Sequence, residues 1–209
     1  MSTPFLSYWF LLKTGGQILQ GLYMREDMKK IILLAICLFL VSGCATGIMV
    51  TRDTKPEITV KPDSSTLVII RDTTFGFAVA FWNYLDGKFI GETTGKTYFV
   101  TSVKPGPHYV VVTTENTAVA HIDFQPGKIY FLHEGVLLGL WRARTSGFEP
   151  LTYEQAMESI QECTYQELDT NKTFGDMEPK LYKKAIEDYH VEVRENPDGF
   201  KNMLEYKGY

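Results

Sequence analysis

YVVVTTENTAVAHIDFQPGKIYFLH, residues 109–133, decides the fold. Three runs of β-branched and aromatic residues lie here: Tyr109-Thr114, Val119-Phe124 and Ile129-His133. Glu115-Asn116 and Pro126-Gly127 separate them. Short apolar runs divided by turn residues read as strands, because branched and aromatic side chains suit a pleated, half-buried surface. With Asn116-Thr117 and Pro126-Gly127 as two-residue turns, Ile122 faces Val111 on one side and Phe131 on the other. Ala120 and Phe124 share that apolar face, while His121 and Asp123 point the other way. His133 then opposes Ala120, on the core side.

Outward from this stretch the texture persists over residues 66–150. Leu67-Ile70, Phe75-Trp82 and Tyr98-Val103 are further strand-like runs, punctuated by Asp86-Gly87, Gly95 and Pro105-Gly106. Asp-Gly favours a tight primed hairpin turn because glycine tolerates positive φ, and Pro-Gly presets a type II turn. Runs recurring about every ten residues predict a mainly β domain: an antiparallel sandwich of seven to eight strands. Beyond Pro150 the period changes to 3.6. Tyr153, Ala156, Met157 and Ile160 form an apolar stripe, preceded by the capping pattern Thr152-x-x-Gln155. Leu181, Ala185, Ile186, Tyr189 and Val193 mark a second amphipathic helix after Pro179, and Asn196-Pro197-Asp198-Gly199 ends it. Residues 151–209 are therefore a helical C-terminal region with two helices.

The chain has 209 residues, 44% hydrophobic and 22% charged, with a net charge of −4. That is enough apolar material for a core, and the acidic balance argues against nucleic acid, whose recognition needs a basic surface. Three cysteines make no disulfide scaffold. Cys163 reads as a small structural residue.

MKKIILLAICLFLVSGC, residues 28–44, has two lysines, then an apolar run from Ile31 to Val41, then small residues. That order is the layout of a secretory signal. Eleven apolar residues rise about 16 Å as a helix, short of the roughly 20 residues a bilayer span needs. Val41-Ser42-Gly43-Cys44 resembles the lipobox of bacterial lipoproteins. The resemblance implies cleavage between Gly43 and Cys44, with diacylglycerol and an N-acyl chain, such as palmitate, on Cys44 as the only attached groups. Ala45 after the cysteine implies delivery to the outer membrane, on its periplasmic face. Residues 1–27 read as an upstream extension from a start assigned too early, with Met24 and Met28 as plausible starts. Removing residues 1–43 takes away four basic and two acidic side chains, so the remaining 166 residues carry 17 against 23, a formal −6. Residues 44–65, rich in Thr, Lys, Asp and Pro, read as a flexible lipidated tether reaching roughly 25 Å, in which Ile58 and Val60 could start a short strand.

Leu85-Asp86-Gly87-Lys88-Phe89-Ile90-Gly91-Glu92-Thr93 resembles the hairpin of small β-sandwich modules of the PEGA type. Val103-Lys104-Pro105-Gly106-Pro107-His108-Tyr109-Val110-Val111 fits their second hairpin. The stretch through Gly127-Lys128-Ile129-Tyr130-Phe131 and Gly135-Val136 to Glu149-Pro150 resembles a wider family of bacterial lipoproteins whose domain has no assigned function. The resemblance spans residues 66–160 and implies a transthyretin- or PEGA-like sandwich with no catalytic residues. The Pro-Glu-Gly-Ala sequence itself is absent.

Three functional classes follow. The leading one is a non-enzymatic envelope lipoprotein, moored to the membrane by its lipid and presenting its sandwich to an envelope protein or cell-wall glycan. The alternative is a binding module for an anionic glycan or lipid headgroup: Arg142 and Arg144 share a face of one strand beside Trp141, so two guanidinium groups could clamp a carboxylate or phosphate, with Trp82 completing the pocket. A third class is an enzyme of small envelope molecules using His121, Asp123 or Glu134. Against it, the sequence has no G-x-S-x-G elbow, no H-E-x-x-H and no phosphate loop. His121-x-Asp123 offers two ligands, too few for a metal, and none is expected.

Overall fold

The computed structural model of the chain describes Met28, residues 30–32, 47–140 and 142–209. Met28 and residues 30–32 are helical. Gly43, Cys44 and Trp141, three of the site residues expected from sequence, lie outside the described residues. Residues 45–209 form one compact unit. Among the described residues, its hydrophobic clusters draw on residues from Met49 onward.

Ten strands are described: β1 (Met49–Thr51), β2 (Ser65–Arg71), β3 (Phe81–Leu85), β4 (Lys88–Thr93), β5 (Thr97–Val103), β6 (Gly106–Thr113), β7 (Thr117–Phe124), β8 (Ile129–Leu138), β9 (Ala143–Pro150) and β10 (Thr164–Leu168). Helices α1 (Tyr153–Glu162), α2 (Pro179–Glu195) and α3 (Pro197–Leu204) complete the body. The strands make a six-stranded sheet, β1-β10-β5-β2-β8-β9, and a four-stranded sheet, β4-β3-β6-β7. Leu67, Ile69, Phe99, Tyr130 and Leu132 of the large sheet pack against Val110, Ala120, Ile122 and Phe124 of the small one. The protein is thus mainly β, with helices at its C-terminal end.

Two features depart from an all-antiparallel sandwich. β2 pairs in parallel with β8, and β10 in parallel with β5. Parallel neighbours need long crossovers, and here β3 to β7, the whole small sheet together with β5, lie between β2 and β8. The second departure is local. β6 and β7 pair antiparallel, but Thr113 faces Thr117, so three residues make the turn and Ile122 lies opposite His108 rather than Val111. β7 and β8 do not pair. Pro126-Gly127 instead carries the chain from the small sheet to the large one, with Gly127 at φ 70°.

The face assignment on β7 survives this change of register, because alternation depends on the strand alone. Ala120, Ile122 and Phe124 are buried, and Asp123 is exposed. His133 is the reverse of the expectation. On β8 it is Tyr130, Leu132 and Glu134 that point into the sandwich, whereas Phe131 and His133 face outward, toward α1.

Asp86-Gly87 forms the expected two-residue turn, with φ 51° and 80° at its central residues. The run Phe75–Trp82 is not a strand over its whole length. Residues 72–80 loop out, and β3 begins at Phe81. The cause is Arg71, a fully buried cation at the end of β2. Its guanidinium donates to the carbonyls of Val79 (2.6 Å), Gly76 (2.7 Å), Phe75 (3.2 Å) and Thr93 (3.5 Å). It also lies 4.0 Å from the ring centre of Phe81. A buried cation must find acceptors, and the loop supplies its backbone.

Residues 47–65 are laid on the body rather than forming a free tether. β1 pairs with β10, Ile58 packs on the cluster beneath α1, and the Lys55 ammonium donates to the carbonyl of Ile160 (2.6 Å). The helix at residue 152 starts as expected: Gln155 N–H donates to Thr152 Oγ1, and Thr152 N–H to Gln155 Oε1. Ala156 and Ile160 of α1 cover Val68, Ile70 and Phe131 on the outer face of the large sheet. Cys163 is buried beside them, and burial pushes its thiol up to about 11. Three elements were not anticipated: β1, β10, and α3 where the chain was expected only to end. α3 places Met203 in the central core, and Tyr206 beyond it accepts from Phe131 N–H at 2.9 Å.

Candidate functional site

β3 alternates across the small sheet. Phe81 faces inward, while Trp82 and Tyr84 face outward. On that outer side the chain returns as residues 169–178 and α2, and a cleft of about 560 Å³ is left between them and the sheet. Trp82, Tyr84 and Phe174 supply its aromatic surface, with Trp82 and Phe174 centred 5.9 Å apart. Phe174 also packs on Phe89 at 4.5 Å. Thr113 of β6, Thr117 of β7 and Thr114 of the turn between them also line it, and Leu181 adds an apolar wall.

The charges of this cleft are acidic. Asp176, Glu178 and Asp188 line it, and its one cation, Lys184, is held by Asp188 at 2.6 Å. Asp176 is fixed in part by the N–H of Phe89 (3.2 Å), and Met177 N–H donates to the Gly87 carbonyl (2.8 Å). The segment that roofs the cleft is therefore fastened to the β3–β4 hairpin. A concave aromatic surface with few polar groups is the usual character of a small-molecule site.

Among the described residues, Trp82 does not join the two arginines in one pocket. Trp82 lines the aromatic cleft, and neither Arg142 nor Arg144 does. Both arginines are exposed near the β8–β9 turn, where Leu138 is opposite Ala143. A short-range pattern could place the two guanidinium groups on one face, but only the sheet order decides which aromatic lies nearby.

The three residues weighed for catalysis are scattered. Glu134 is sealed between the sheets, where Thr93 Oγ1 donates to its carboxylate. Burial pushes its carboxyl up to about 7, against the hydrogen bond from Thr93, the nearby Asn83 amide and attraction to Arg71. His121 stacks on Tyr109 (4.6 Å) under α2; burial, then the neighbouring His190, lowers its pKa. Asp123 is exposed. Among the described residues no group of histidine, cysteine and carboxylate side chains is arranged to hold a metal.

One constellation escaped the sequence reading. His133 Nε2 meets Asp72 Oδ1 at 2.9 Å, and Ser159 Oγ donates to Asp72 Oδ2 at 2.8 Å. Glu149, Glu158 and Glu162 line the same cleft, of about 400 Å³. Ser159 and His133 both bond to the carboxylate rather than to each other, so the serine is not activated by the imidazole. The Asp72 carboxyl is held below its ordinary value by those two partners despite burial. The group ties α1 to the large sheet.

No protein-family profile matches the sequence. The chain is similar to an uncharacterized protein of Haemophilus influenzae, 26% identical over 156 residues, covering 72% of this chain and 89% of the relative. Among the described residues no helix is long and apolar enough to cross a membrane.

Proposed function

We propose that the chain is a bacterial envelope lipoprotein, anchored through diacylglycerol and an N-acyl chain on Cys44 at the periplasmic face of the outer membrane, and that its β body is a binding module rather than an enzyme. PEGA-like modules, to which residues 66–160 bear a resemblance, fit the two-sheet architecture. The observation that carries the binding role is the aromatic cleft of about 560 Å³ between the small sheet and α2.

The cleft's chemistry selects its ligand class. Sugar rings stack their C–H faces on indole and phenyl rings, and threonine hydroxyls and carboxylates hydrogen-bond their hydroxyls. Because Asp176, Glu178 and Asp188 outnumber Lys184, a neutral or cationic glycan suits the site better than the anionic one expected from the arginines. Titration with soluble cell-wall glycan fragments, followed by isothermal calorimetry, tests the reading. A saturable change is expected, and Trp82→Ala removes the binding while the protein stays folded. No change with the wild type, or equal affinity in the variant, refutes the binding role. Incorporation of labelled palmitate, abolished by Cys44→Ser, tests the anchor separately.

A further inference from the structure

The β8–β9 hairpin ends in residues that the sandwich does not bury. Leu138 is 82% exposed and Leu140 87%, and Leu137 is also exposed. The 72–80 loop lies beside them: a Cβ on Gly76 would come within 2.6 Å of the Ala143 Cβ. That loop adds Phe77, 70% exposed, and Phe75. Five large apolar side chains therefore project from one end of the body, more than scattered surface residues explain.

The tip is built to hold them out. The Glu115 carboxylate accepts from the N–H groups of Leu140 and Arg142, each at 3.2 Å. Thr114 Oγ1 donates to the Ala143 carbonyl at 2.8 Å. Any side chain at Gly139 would overlap the Glu115 carboxylate, 2.0 Å away. Behind the leucines, Arg142 and Arg144 are exposed and form no salt bridge among the described residues.

We propose that this tip is a membrane contact of its own: its leucines and phenylalanines enter the interface of an anionic phospholipid bilayer while Arg142 and Arg144 meet the phosphates. The tip is convex, which suits a deformable lipid surface, and its apolar end with a basic shoulder matches acyl chains below headgroups. Charge supports the same partner. The body from Cys44 onward is acidic, at −6, so an anionic surface repels most of it and attracts this end.

The position of the tip gives the contact a consequence. Followed through β10 and β5, Met49 stands level with Leu67 of β2, whose partner on β8 is Tyr130. Leu138 lies eight residues further along β8, about 26 Å at roughly 3.3 Å per residue. The strand nearest Cys44 and the apolar tip are thus at opposite ends of the large sheet. Contact at both ends lays the long axis of the large sheet along the membrane.

Co-sedimentation of residues 45–209, which hold every described residue of the three hydrophobic clusters, with vesicles tests this without any lipid on Cys44. Binding is expected to vesicles containing phosphatidylglycerol and to be weak with phosphatidylcholine alone. Leu138→Ser with Leu140→Ser weakens it by about tenfold or more. Arg142→Gln with Arg144→Gln removes the preference for the anionic lipid, and both variants keep the wild-type melting temperature. No binding to either vesicle overturns the proposal, as does unchanged binding by the leucine variant. Concentration-dependent self-association lost in the leucine variant, with no vesicle binding, overturns it in favour of contact between copies. None of these outcomes bears on palmitate labelling, so the anchor and the tip stand or fall separately.

Discussion

Glu134→Gln isolates the energetics of the sealed polar cluster. Glu134 is enclosed between the sheets with Arg71, Asn83 and Thr93. Burial raises its carboxyl from 4.5 to about 7, so the folded state holds a proton that the unfolded chain has already released. Its stabilising contribution is therefore complete below pH 4.5 and declines as pH rises through 7. At 1.36 kcal/mol per pH unit, the wild type loses about 3 kcal/mol across that window. Glutamine has the shape of the protonated acid and keeps an acceptor for Thr93, but it does not ionise. The difference in unfolding free energy between variant and wild type should rise by about 2–3 kcal/mol in the variant's favour from pH 5 to pH 8. Taking this difference cancels groups that slope the other way, such as His121, whose lowered pKa favours stability at higher pH. Urea unfolding followed by tryptophan fluorescence at several pH values measures it. A flat difference, or a variant that grows less stable toward pH 8, would show that the ionised carboxylate is needed as the counter-ion of Arg71.

Arg71→Met removes the cation that gathers the carbonyls of Phe75, Gly76, Val79 and Thr93, and should cost about 3–5 kcal/mol. Limited proteolysis should then cut first in residues 72–80. Met203→Ala leaves a void in the central core and should cost about 2–5 kcal/mol in urea unfolding, whereas a C-terminal tail outside the core would tolerate it. Gly139→Ala should destabilise the β8–β9 turn, read as faster amide exchange at Leu140 and Arg142, since the new methyl competes with Glu115 for its place.

Much of this architecture is legible along the chain. Alternation assigns Ala120, Ile122 and Phe124 to the core without any knowledge of their partners, because successive side chains leave a strand on opposite sides. The Thr152–Gln155 cap and the Asp86-Gly87 turn are equally local, since each closes its hydrogen bonds or its φ values within four residues. The candidate site is less legible. Trp82 stands out as an aromatic, but the cleft exists only because residues 169–178, nearly ninety positions later, fold back over it.

Sequence by itself determined the β class, the faces of individual strands, the change to helical period after Pro150, and an N-terminal segment that resembles a lipidation signal. Tertiary structure alone decided that β8 lies beside β2 instead of β7, that Glu134 and not His133 points inward, and that Arg142 and Arg144 belong to an apolar tip instead of an aromatic pocket. The division has one physical cause. Side-chain parity and turn chemistry act between near neighbours, whereas strand order is set by which distant apolar faces bury each other best.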